Sequence, residues 1–123
     1  MKKLKADGGW TEETEICTRQ WRAAVVQSEN YPHLHSPCRI ERHLDTDELF
    51  VVLGGLLAVG VAESGEGSVR WMRLTAGETV CVPRGVWHSS YAQAPSTYLL
   101  VEDSDTGPQN TEEIIRFIPK MED

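Results

Sequence analysis

The sequence predicts an all-β barrel or sandwich. Three observations carry that reading: short β-prone runs fill the middle of the chain, turn residues separate them, and helix signals are scarce. At 123 residues there is room for one domain and one core. No internal repeat or low-complexity tract interrupts it.

In chain order, residues 1–20 are polar and acidic and are expected to form a loose arm with one or two edge strands. Arg22–Gln27, built on Ala23, Ala24, Val25 and Val26, is the first strand of the core. Arg39–Leu44 reads as a polar strand and Glu48–Leu53 as an apolar one. Gly54 and Gly55 bend the chain before Leu56–Ala62, and the loop Ser64–Ser68 separates that run from Val69–Leu74. Thr79–Val82 and Thr97–Glu102 complete the set. Asn110–Ile115 opens either as a capped turn or as a final strand, because its polar start suits a cap and its isoleucines suit a sheet. The division expected is an arm over 1–20, a barrel core over about 21–103, and a C-terminal extension over 104–123.

Composition removes several functions. The net charge of −7 argues against nucleic acid, since phosphate contacts need clustered Lys and Arg. The longest apolar stretch, Leu49–Ala62, is broken by three glycines and falls short of the roughly 20 residues that span a bilayer, so no membrane role is expected. The basic start has no apolar segment behind it, and Cys17, Cys38 and Cys81 form no paired motif, which together predict a reduced, cytoplasmic protein. No nucleophile elbow, phosphate loop or dinucleotide fingerprint is present.

Within Glu48–Leu53, alternation sends Glu48, Phe50 and Val52 to one face and the equally apolar Leu49, Val51 and Leu53 to the other. A strand apolar on both faces needs cover on both. Either a second copy, making a homodimer, or the N-terminal arm would supply it.

The chemistry gathers at Gly77-Glu78-Thr79-Val80-Cys81-Val82-Pro83-Arg84-Gly85-Val86-Trp87-His88. Gly77 makes a turn, Thr79–Val82 a strand, and Pro83-Arg84-Gly85 a tight turn that delivers His88 to the start of the next strand. This Gly-x5-Pro-x-Gly-x2-His pattern resembles the second motif of the cupin superfamily; the family's Asn four residues on is here Ala92. Upstream, Glu41-Arg42-His43-Leu44-Asp45-Thr46-Asp47-Glu48 followed by Gly55 is similar to the first cupin motif, with Glu41 in place of its first histidine. Residues 41 and 43 share a strand face, so both point into the barrel.

The resemblance implies a small single-domain, RmlC-like double-stranded β-helix (jelly-roll). It also implies a metal site built on His43, Glu48 and His88. Two imidazoles and a carboxylate are the set of a facial triad, suited to iron(II), manganese, nickel or zinc and open to a small-molecule ligand or substrate. Glu41 is either a fourth ligand or an ordinary solvated charge. Two carboxylates in one pocket repel, so without a cation one pKa is expected to rise. If either proves unliganded, Glu41 or Glu48 is the candidate catalytic proton carrier. Phe50, Tyr98 and Glu102 are candidate pocket residues, Glu102 only if its strand parity turns it inward. Thr46 and Asp47 shape the loop between the motif residues. Cys81 reads as a buried small hydrophobe. His33-Leu34-His35, bracketed by Pro32 and Pro37, lacks a following Glu at the right interval and reads as a loop that gates the mouth at most.

Two functions follow. One is a metal-dependent enzyme of dioxygenase, isomerase, lyase or decarboxylase type acting on a small polar or carboxylate-bearing molecule. The other is a non-catalytic ligand-binding or sensing barrel, which the missing first histidine and missing Asn favour.

Overall fold

The computed structural model describes residues 2–4, 10–12, 20–28 and 37–121. Cys17 and the His33–His35 segment lie outside them. Every regular element is a strand apart from one short 3-10 turn at Pro108–Asn110. The strands are β1 (Lys2–Leu4), β2 (Trp10–Glu12), β3 (Trp21–Ser28), β4 (Cys38–His43), β5 (Glu48–Gly54) and β6 (Leu57–Ala62), followed by β7 (Arg70–Leu74), β8 (Thr79–Val82), β9 (Trp87–Ala92), β10 (Ser96–Asp103) and β11 (Thr111–Arg116). Among the described residues no helix is long and apolar enough to cross a membrane.

β1 and β2 pair as a separate ribbon. The remaining strands form two antiparallel sheets, one ordered β3-β10-β5-β8 and the other β11-β4-β9-β6-β7. This is the jelly-roll expected. Between the sheets, alternate residues of each strand interdigitate. Phe50, Val52 and Val82 from the first sheet pack on Leu57, Val59 and Leu74 from the second.

A second core layer lies on the other face of the five-stranded sheet. Cys38 and Ile40 point outward from β4 yet are buried, because Trp87, Ala62 and Ile118 close over them. The C-terminal segment is tied down across this face: Trp71 Nε1 donates to Pro119 O at 2.8 Å, and Met121 N donates to Tyr91 Oη at 2.8 Å. Of the two readings of Asn110–Ile115 the strand holds, over Thr111–Arg116, while the 3-10 turn precedes it and ends at Asn110.

The four-stranded sheet is different. Leu49 and Val51 on the outer face of β5 are half-buried, and Leu53 is 54% exposed, so the burial expected on both faces is incomplete. Cys81, opposite Leu49 on β8, is exposed rather than buried, because it too lies on this open face.

Candidate metal centre

Four side chains converge at one end of the space between the sheets. Glu41 and His43 sit two residues apart on β4 and face inward. Glu48 opens β5 in the opposing sheet, and His88 is the second residue of β9, paired directly with Glu41.

Local chemistry holds these strands in place. The backbone N–H of Gly85 donates to the His43 carbonyl at 2.7 Å, which clamps the turn carrying His88 against the strand carrying His43. Gly85 has φ of +79°, a conformation a side chain at this position would strain. Asp47 accepts from the Arg84 N–H at 2.8 Å, and Thr46 shares a 2.8 Å hydroxyl bond with Thr106. Thr46 and Asp47 therefore shape the loop as expected.

One ligand atom from each of Glu41, His43, Glu48 and His88 lies within 4.8 Å of all the others, so the cluster could hold a metal ion. Glu48 Oε2 is 2.7 Å from His88 Nε2 and 3.2 Å from His43 Nε2. Glu41 Oε1 stands 3.9 and 3.7 Å from the same two nitrogens. Neighbouring donors around an ion with bonds of about 2.1 Å lie roughly 3.0–3.4 Å apart, so the spacing brackets what a cation needs.

The tautomers agree. His88 Nδ1 lies 3.0 Å from the Val86 carbonyl, which can only accept, so Nδ1 carries the proton and Nε2 offers a lone pair to the cluster. His43 Nδ1 bonds the Thr111 hydroxyl at 2.9 Å, which likewise leaves Nε2 facing inward. His88 Nε2 is buried with no aligned hydrogen-bond partner among the described residues, despite its 2.7 Å contact with Glu48. At that distance the two atoms repel unless they share a cation, either a proton on Nε2 or a metal ion, and the donor set of two imidazoles and two carboxylates fits a metal.

Electrostatics correct one expectation. Two carboxylates were expected to push one pKa up. Burial does act that way on Glu48, but hydrogen bonding to His43 and contact with His88 outweigh it and bring the carboxyl down to about 2. The hydrogen bond to Glu48 in turn raises His43, against the opposing effect of burial and with help from the Glu48, Glu41 and Glu102 charges. Without metal, the proton that His43 holds more tightly stands where the cation would.

Two cavities open onto the cluster, of about 370 and 680 Å³, and both are lined by Arg39, Glu41, Glu48 and Leu100. Phe50 lines the first. Glu102 turns inward and lines the second, but its carboxylate is taken by Arg22 at 2.6 and 2.8 Å. Tyr98 packs into the core near Phe50, with ring centroids 6.3 Å apart. Burial and then the Glu48 charge push its phenol up, so it stays protonated.

The sequence reading passed over two residues that matter here. Thr111 touches His43 from 68 positions away, and no local signal marks it. Arg39, read only as the start of a polar strand, lies two residues before Glu41 on the same inward face, and that parity could have found it.

The sequence model of the cupin family matches residues 7–120. No curated protein matches the chain. Among solved structures, oxalate decarboxylase from Bacillus subtilis is similar with a TM-score of 0.60 at 16% identity, over 79% of this chain and 24% of that one. The chain thus spans about a quarter of that protein's length. Another structure of the same enzyme, with a TM-score of 0.53 at 16% identity over 81% of this chain and 24% of that one, concerns its Mn(II) centres. KdgF from Halomonas sp. gives a TM-score of 0.54 at 19% identity, over 80% of this chain and 88% of that one. The Streptomyces protein PAC13, solved with uridine, gives 0.56 at 12% identity, over 85% and 74%.

Proposed function

The chain belongs to the cupin family, and from that premise we propose that it binds a divalent transition metal through Glu41, His43, Glu48 and His88 and presents it to a small polar or carboxylate-bearing molecule. The observation that carries this is the convergence of four ligand atoms from two facing sheets, all within 4.8 Å of one another.

Each residue has a definable task. Val86 O and the Thr111 hydroxyl orient the two imidazoles so that both Nε2 lone pairs face the cluster. Glu48, ionised down to about pH 2, is a carboxylate at any physiological pH. Glu41, the most exposed of the four at 28%, is the ligand that both cavities reach from outside, on the side where a small molecule would meet the ion. When bound, the ion supplies Lewis acidity toward substrate oxygens.

Metal analysis of protein purified without chelator tests the reading. About one equivalent is expected, falling below roughly a tenth in His88→Ala, because a buried site loses most of its affinity with one ligand. Protein that takes up none of iron, manganese, nickel or zinc on titration would overturn it.

The exposed Leu53 and partly exposed Leu49 and Val51 on the outer face of β5 leave apolar surface for a second copy, one of the two covers expected. Light scattering at micromolar concentration should give the mass of two chains, and a monomer at every concentration would remove that part.

A further inference from the structure

We propose that Arg39 is the anion-binding group of this site, and that the site takes a small acid whose far carboxylate it grips while the near end reaches the metal. The inference rests on the metal reading above and adds to it the class of ligand and the residue that selects it.

Placement comes first. Arg39, Glu41 and His43 alternate along β4, so the guanidinium leaves the strand on the side that carries the ligands, one inward position nearer the open end. Arg39 lines both cavities that meet at the cluster. Charge then separates it from its neighbours. Arg22, which lines the larger cavity too, is already engaged: it donates twice to Glu102 at 2.6 and 2.8 Å and once to Thr106 O at 2.7 Å. Among the described residues, the ion pair of Arg39 is a loose one, 3.6 Å to Glu113, between side chains 63% and 52% exposed. Such a pair contributes little and exchanges readily for a better partner.

The ligand's chemistry follows. Two ionised carboxylates and a divalent cation sum to zero, so the metal centre leaves no positive charge to hold a second anionic group at a distance. Arg39 supplies one, in the planar fork that binds carboxylate two bonds at a time. The smaller cavity, lined by Arg39 and by Glu41, Glu48 and His88 of the cluster, is also lined by Phe50 and Leu100, apolar surface that suits methylene groups.

The test compares two five-carbon acids, glutarate and pentanoate, by calorimetry on the metal-loaded protein, with metal content measured in every sample. Wild type is expected to bind glutarate at least ten times more tightly than pentanoate. Arg39→Gln should erase that preference while leaving pentanoate affinity and metal content unchanged, and Arg39→Lys should restore part of it. Arg73→Gln makes the same charge change on the outer face of β7, where Arg73 bonds Gln93, and should leave the preference intact. No preference in wild type, or one that survives Arg39→Gln at full metal content, would overturn this inference alone. Failure of metal to load would overturn the metal reading and this inference with it.

Discussion

His43 and Glu48 are coupled so tightly that the state of one sets the other, and this makes the site's response to pH opposite with and without metal. In the metal-free protein, His43 is raised above 6.5 chiefly by its hydrogen bond to Glu48. A raised pKa stabilises the fold fully below the unfolded value and loses that contribution as pH climbs through the folded one. Glu48 runs the other way: lowered from 4.5 to about 2, its contribution is present above 4.5 and disappears as pH falls towards 2. The chelated protein should therefore be most stable between about pH 4.5 and 6.5 and should weaken on either side. Metal must displace the His43 proton, so the loaded protein should gain stability as pH rises through and above 6.5. Denaturation midpoints across pH, with and without chelator, give two curves that diverge in that range. Parallel curves would mean the histidine does not ligate. Thr111 acts on the same ring from outside. Thr111→Val keeps the shape and deletes the hydroxyl that holds Nδ1, and should cost about 10- to 100-fold in metal affinity, read by competition with a chelator of known strength.

At the scale of elements, the turn between β8 and β9 does the assembling. It carries His88, and its Gly85 N–H reaches across to the carbonyl of His43, so the two imidazole strands meet through a backbone bond. A Cβ at Gly85 would find open space but would have to live at φ of +79°. Gly85→Ala should thus cost about 1–2 kcal/mol from backbone conformation alone. Because the strain falls on this turn, metal affinity should drop as well, whereas a substitution on a remote loop would lower stability only. This element was legible beforehand: Pro83-Arg84-Gly85 flanked by β-prone residues has few other conformations open to it. The strand that begins there was expected too, but not its extent, since Ser89 and Ser90 carry no apolar alternation. Ser89 earns its place through a bond to Arg39 O at 2.8 Å, a partner fifty residues away. Nor does anything local show that Ile118 and the C-terminal segment roof the outer face of β4, because a lone isoleucine near a chain end looks the same whether it is packed or free.

Across the whole molecule, the legible part of the site is the part that obeys period two. Alternation put Glu41 and His43 on one face, and the resemblance to the cupin motifs implied His43, Glu48 and His88 as ligands and left Glu41 open. The structure brings all four together. Groups that orient them, Thr111 and the Val86 carbonyl, come from pairings that only the closed sheet creates. The closed sheet also gives the site a mechanical role. Glu48 belongs to the sheet ordered β3-β10-β5-β8, while Glu41, His43 and His88 belong to the sheet that faces it. A cation gripped by all four is a cross-link between the two halves of the barrel, absent once the chain unfolds. Binding to the folded state alone stabilises by mass action, about 4 kcal/mol when free metal exceeds its dissociation constant ~1,000-fold. For a domain of this size that corresponds to a rise in Tm on the order of 10–20 °C. Thermal melts with metal added stepwise should show Tm climbing with the logarithm of free metal, and chelator should return it to the starting value. Glu48→Gln is the sharper probe, because it removes the one ligand from the opposing sheet while leaving three on the other. In that variant the metal-dependent rise should shrink to a small fraction even if some ion is retained. A Tm that ignores metal in the wild-type protein, or a Glu48→Gln variant that keeps the full rise, would show that no ion bridges the sheets.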